Sequence, residues 1–205
     1  MLRLDHAPSR PFPWAVEKQL ERLVEVEASR CDAILVSDYG SGVVTDALAR
    51  TLQRLAAEGM TVCADSRYGL QRLVGLTVCK PNEPELQALT GMPVTTDAEL
   101  FKAGRAAQKA LRCQALLVTR GKNGMALFSR RTVETLAVHG AREAVDVTGA
   151  GDTVIAALTL SLAAGASVLD AARLANVAAA LVVQKQGTAT VSRQELLGEL
   201  EGRAA

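Results

Sequence analysis

The chain has 205 residues, 49% of them hydrophobic and 22% charged, enough apolar material to bury one good core and too much for a disordered segment. A formal net charge of +1 and an aromatic content of 3% provide neither the cationic field that nucleic-acid phosphates need nor stacking platforms for bases, so nucleic acid is excluded as a partner. The opening "MLRLDHAPSRPFPW" carries charges and prolines where a secretion signal needs an apolar core. The longest apolar stretch, "TVIAALTLSLAAGASV", is broken by Gly165 and falls short of the ~20 apolar residues of a membrane span. A cytoplasmic protein without a membrane partner is expected.

Along the chain, Val16, Leu20, Leu23 and Val24 recur at helical spacing from Trp14, and "CDAILVSDYG" then runs apolar into turn residues, which predicts a helix feeding a buried strand. Thr45 to Gly59 opens with a capping residue and closes with glycine, and "MTVCAD" follows as a second β-rich run. "LTVCKPNEPELQALTG" reads as strand, loop and short helix, "DAELFKAGRAAQKALR" as an amphipathic helix, and "QALLVTRGKNGMALFS" as two strands about a Gly-containing loop. A strand in "TVETLAVHG" precedes two Ala-rich helices, about Ala150 to Ala164 and Val168 to Val183, and a last helix begins near Ser192. Strands apolar on both faces, alternating with helices, imply a three-layer α/β/α fold with a mostly parallel sheet. Ligands in such sheets bind at the carboxyl ends of the strands. Asp38, Asp65, Asn82, Thr119 and Asp146 all fall at predicted strand ends, and one common crevice is expected. Cys31, Cys63, Cys79 and Cys113 lack C-x-x-C spacing and are accompanied by only two histidines, so they read as reduced core thiols, not zinc ligands.

The joint between the last strand and the first Ala-rich helix reads "DVTGAGDT". Gly149, Ala150 and Gly151 are small enough for successive backbone N–H groups to turn toward an anion at a helix start, where the macrodipole also favours negative charge. Asp152 places a carboxylate beside that anion, which is useful if it takes a proton from an attacking hydroxyl. The alternative is an ordinary helix start, with Asp152 favoured by the dipole and the glycines serving a turn. No G-x-x-x-x-G-K-[ST] loop occurs, and "GSGVVT" lacks the third glycine of a dinucleotide fingerprint. In "KPNEPE", Asn82 and Glu85 offer an amide and a carboxylate to hydrated Mg²⁺, or else form a helix start with Pro84 in its first turn. In "TRGKNG", Thr119 ends a strand and Gly121 and Gly124 permit close approach to a ligand, or simply join two strands.

"SDYGSG", "KPNEPE", "TRGKNG" and "DVTGAGDT", in that order, together resemble the ribokinase-like (PfkB) carbohydrate kinases. Within them, "SDYGSG" and "KQGTATVS" resemble the D-glycero-beta-D-manno-heptose 7-phosphate kinase branch. The resemblance starts near Arg3 and spans nearly the whole chain. It implies ATP-dependent phosphorylation of a sugar or sugar phosphate hydroxyl, with Asp152 as catalytic base and Gly149, Ala150 and Gly151 as the anion hole. Asn82 and Glu85 would organise Mg²⁺ and the nucleotide phosphates; Thr119, Gly121 and Gly124 would line the nucleotide, and Asn176 its adenine side. Asp146 and Thr148 match positions that help hold a monovalent cation, K⁺, in ribokinases.

Two departures accompany the resemblance. Ser41 stands where heptose kinases usually carry Lys, and "ADSRYG" where they often read "DPKG"; either Arg67 supplies the lost cation or the sugar differs. The N-terminal strands, Gly-Gly motif and β lid of the family have no counterpart, and neither His6 nor His139 lies in an H-x-G-H motif. The chain is therefore expected to be a single, N-terminally incomplete kinase domain over residues 1–205. Such a chain would bind ATP–Mg²⁺ weakly and self-associate, or act as a non-catalytic nucleotide-binding or assembly subunit with a complementing half in trans.

Overall fold

The computed structural model describes residues 13–140 and 144–202; Arg3 and His6 lie outside them. Six strands, β1 (Ala33–Asp38), β2 (Thr61–Ser66), β3 (Val78–Cys79), β4 (Ala115–Thr119), β5 (Met125–Ser129) and β6 (Val133–Leu136), form one sheet in sequential order. β1 to β4 are parallel, and β5 and β6 turn antiparallel. Seven described helices accompany them: α1 (Trp14–Ala28), α2 (Asp46–Ala57), α3 (Glu83–Thr90), α4 (Asp97–Leu111), α5 (Ala150–Ala163), α6 (Val168–Val182) and α7 (Arg193–Leu200).

Parallel strands laid down in one direction through right-handed crossovers keep their connecting helices on one face of the sheet. The packing of α2, α3 and α4 follows that rule, with α1 added through Leu20 and Val24. The opposite face is closed by α5 and α6. Successive strand residues alternate between the two cores. Val62, Ala64, Leu116, Val118, Ala126 and Phe128 face the first, while Cys63, Ala115, Leu117, Met125 and Leu127 face the second. Period-two alternation with both faces buried is why these strands read as continuous apolar runs. Each buried Leu, Val or Phe contributes about 1.5–3 kcal/mol.

Side-chain caps set most helix starts. Thr45, Asn82, Thr96, Ser167 and Ser192 each accept an N–H from the first turn of α2, α3, α4, α6 and α7, each worth about 1 kcal/mol. The strand expected in "TVETLAVHG" ends at Leu136. Cys63, Cys79 and Cys113 are buried, as expected, but Cys31 is exposed; it sits in the turn before β1, where the apolar run has not yet entered the sheet. β1 lies at the sheet edge, and Leu23, Leu35 and Leu160 nearby on α1, β1 and α5 are exposed. No described helix is long and apolar enough to cross a membrane.

Candidate active site

The carboxyl ends of β1, β2 and β3 open on a polar cleft of about 280 Å³. At the end of β1, the Asp38 Oδ1 accepts from Gly40 N at 2.9 Å and its Oδ2 from Ser66 Oγ at 2.6 Å. Ser66 Oγ in turn accepts from Gly69 N at 2.9 Å. A Cβ at Gly69 would lie 2.9 Å from Ser66 Oγ and 3.0 Å from Asp38 Oδ2, so glycine is required for this lacing of the two strand-end loops. Asp38 is thereby a brace. Asp65, from β2, pairs with Lys80 at 2.8 Å on the cleft floor. Burial pushes the Asp65 carboxyl above its usual range, against the pull of Lys80.

Asp152 enters the same cleft from the first turn of α5. Both its carboxylate oxygens accept from the Tyr39 phenol at 2.7 Å, and that bond is the main reason the phenol's pKa is raised. Gly149 caps α5 at φ 80°, a left-handed conformation that turns the chain into the helix. Ala150 N donates back to Val147 O at 3.2 Å, so its N–H is spent within the turn. The Gly149, Gly151 and Asp152 amides have no acceptor among the described residues. A Cβ at Gly151 would stand 3.6 Å from Lys80 Nζ. Three free amides, a helix N-terminus and a buried ammonium converge where an anion would sit.

Asn82 and Glu85 form a reciprocal capping box at α3: Glu85 N donates to Asn82 Oδ1 at 2.8 Å and Asn82 N to Glu85 Oε2 at 2.9 Å. Both nevertheless line the cleft, and burial raises the Glu85 carboxyl. Its second oxygen is left for a ligand, but the described residues contain no cluster of three or more His, Cys, Asp or Glu able to hold a metal alone. The donor set suits Mg²⁺ held through waters and phosphate oxygens by one or two carboxylates, the usual mode for that ion.

A second, largely apolar cavity of about 580 Å³ adjoins the first and shares Gly151 with it. Thr119, Gly121, Gly124 and Asn176 line it. Gly124, at φ 78°, tolerates no Cβ because one would run into the Leu136 carbonyl. Asn176 Nδ2 donates to Ala137 O at 2.6 Å, fastening α6 to the segment after β6. Arg120 pairs with Glu83 at 2.9 Å and Asp97 at 2.7 Å, which ties the end of β4 to the starts of α3 and α4.

The single crevice expected from the sequence is therefore two adjoining cavities. Asp38, Asp65 and Asn82 line the polar one and Thr119 the apolar one, although Thr119 bridges Asn82 directly, so the division falls between β3 and β4. Asp146 lines neither. It follows irregular backbone, not a strand end, and its carboxylate accepts from Thr148 N at 2.9 Å and Gly187 N at 3.0 Å; the hydrogen bonds from Thr148 chiefly hold it below its usual range. These two bonds tie the segment before α5 to Gly187. Tyr39 and Lys80 were missed as site residues. Lys80 had a signal, a cation closing an otherwise apolar strand run, while nothing local marks Tyr39 as a partner of Asp152, 113 positions away.

The fold recurs in solved structures. A ribokinase from Arabidopsis thaliana complexed with ribose and ATP superposes with a TM-score of 0.73 at 25% identity, over 95% of this chain and 61% of that one. Phosphofructokinase-2 from Escherichia coli in complex with potassium gives 0.81 at 23% identity, over 94% and 63%. The fold is thus of the ribokinase-like α/β class. Residues 12–195 match the model of the pfkB family carbohydrate kinases, and the chain belongs to that family. Among curated relatives, the bifunctional protein HldE of Desulfatibacillum aliphaticivorans is 38% identical over 98% of this chain. The HldE of Coxiella burnetii strain Dugway 5J108-111 is 40% identical over 96%. The chain spans 42% and 41% of the length of those two relatives.

Proposed function

We propose that the site transfers the γ-phosphoryl group of ATP to a hydroxyl of a sugar or sugar phosphate. The observation that carries this reading is the placement of Asp152 beside the three free amides of Gly149, Gly151 and Asp152, at the junction of an apolar and a polar cavity. The nucleotide occupies the apolar cavity, against Thr119, Gly121, Gly124 and Asn176, with its phosphates directed at Gly151. The acceptor lies in the polar cleft. Asp152 takes the hydroxyl proton as the acceptor oxygen bonds to phosphorus and the bond to the ADP oxygen breaks. The amides and Lys80 stabilise charge on the transferring group. Mg²⁺, held through Asn82 and Glu85, would neutralise phosphate charge; K⁺ beside Asp146 and Thr148 would brace the anion hole. The motif resemblance and the HldE relatives favour a heptose 7-phosphate as acceptor, with Arg67, at the cleft, offering a cation to its phosphate.

A second reading is a non-catalytic nucleotide-binding or assembly subunit. It is favoured by the apolar surface around the edge strand β1, where Leu23, Leu35 and Leu160 are exposed. Assay of ADP release with heptose 7-phosphate and a panel of other sugars and sugar phosphates separates the two. Acceptor-dependent release supports the kinase; nucleotide binding with no release for any acceptor supports the subunit.

A further inference from the structure

The reading of Asp152 as the base leaves a contact unexplained. The Tyr39 hydroxyl is 2.7 Å from both oxygens of that carboxylate, bridging the edge at which an incoming hydroxyl would have to bind. A phenol and a sugar hydroxyl offer the same thing to a carboxylate, a single O–H donor, so the two compete. We propose that Tyr39 is a positioning residue that gates the acceptor side of this site, capping the Asp152 carboxylate until an acceptor hydroxyl displaces it.

The surroundings suit a side chain that swings while its backbone stays. Gly40 and Gly42, both left-handed at φ 78° and 84°, and the Gly40 N to Asp38 Oδ1 bond fix the loop. Tyr39 is 63% exposed and is held at its tip by the bond to Asp152, with the Ser37 hydroxyl as a lesser partner of the phenol, so releasing it sacrifices few polar contacts and little packing. The neighbouring carboxylates keep the phenol protonated, which makes it a donor and not a nucleophile toward phosphate. The benefit is control of water. With ATP bound and no acceptor, a water molecule could give its proton to Asp152 while its oxygen bonds to the γ-phosphorus and the bond to ADP breaks; a capped carboxylate does not accept that proton.

The proposal rests on the kinase reading, and its test has one arm that does not. Tyr39 is one of two tyrosines, so in a Tyr68→Phe background the phenolate absorbance reports it alone. Its midpoint should fall toward the ordinary value near 10 on Asp152→Asn, and also when heptose 7-phosphate binds, occupancy being followed by calorimetry. In the second arm, Tyr39→Phe should raise ADP release without acceptor by about 3- to 10-fold, the range a single hydrogen bond governs, and lower the acceptor KM. A Tyr39 midpoint indifferent to Asp152→Asn overturns the contact, and one indifferent to bound heptose 7-phosphate overturns the displacement. Unchanged acceptor-independent hydrolysis alongside normal phosphoryl transfer reduces Tyr39 to a structural tie and overturns the gate. No ADP release from either protein counts against the kinase reading and leaves the gate to the titration.

Discussion

Lys80 Nζ lies 2.8 Å from Asp65 Oδ2 on the floor of the polar cleft, with side-chain exposures of 4% and 19%, and both groups come within 4.0 Å of where a Gly151 side chain would begin. Two enclosed charges thus neutralise each other directly beneath the proposed phosphoryl position. Removing one strands the other, at about 3 kcal/mol. Lys80→Met should therefore lower the free energy of urea unfolding by about that amount, and adding Asp65→Leu should restore most of it. Equal and additive losses for the two single changes would show that the groups do not act as a pair.

Asp152→Asn keeps the size of the side chain and removes its basicity. Its effect should fall on turnover, with kcat lowered by at least the ~10²-fold of a lost general base and ATP affinity, measured by calorimetry, little changed. A variant turning over near the wild-type rate would remove Asp152 from the proton transfer.

At Gly151 a bare Cβ is in ordinary contact distance of Lys80 Nζ, 3.6 Å, so Gly151→Ala should fold and retain binding. Gly151→Val adds two methyl groups at the meeting point of the two cavities, where backbone and phosphate must approach. The ATP Kd should rise at least about tenfold. An unchanged Kd would mean that the phosphates lie elsewhere.

The layering of the fold was legible because hydrophobic period reports burial directly. "CDAILVSD", "MTVCAD" and "QALLVT" all became sheet strands, and Thr45 and Ser192 became helix caps. Where a motif is local, as in "TGAGD", its residues do meet at one helix start facing the cleft, although the Ala150 N–H, expected among the anion-binding amides, is spent on Val147. The site was not legible where chemistry depends on register between strands. The Asp65–Lys80 pair arises because β2 and β3 run side by side, and the Tyr39–Asp152 contact because α5 crosses the sheet to reach β1. In "KPNEPE" the helix start expected with Pro84 is present, and the residues that cap α3 also face the cleft.

Packing of α4 on β5 gives a test independent of function. A Cβ at Gly104 would overlap the end of the Phe128 ring, and Phe128 is fully buried. Gly104→Ala improves helix propensity by about 1 kcal/mol, but overpacking of this kind costs about 1–3 kcal/mol. Thermal and urea unfolding should show a net loss, and a stabilised variant would mean that the ring has room to retreat.

Glu195 joins α7 to the preceding loop through Lys185 Nζ at 2.6 Å and the Ser192 N–H at 2.7 Å. Chiefly through Lys185, its pKa is held down from 4.5 to about 2. A depressed carboxylate contributes stability above its unfolded value and loses it as pH falls. The urea midpoints of wild type and Glu195→Gln should therefore differ at neutral pH and converge between about 4.5 and about 2. A gap that persists at the acid end would assign the difference to packing.

The late position of α5 and α6 in the chain also shapes how the protein is made. Cys63, Val78, Leu117 and Leu127 depend on these two helices for cover, yet the ribosome completes all six described strands before either helix emerges. At about 5–20 residues per second, the nascent sheet spends seconds with one apolar face bare, and its parallel pairings are slow to close in any case. Yield in the cell should consequently track chaperone supply and growth temperature more steeply than the equilibrium stability of the finished fold would indicate.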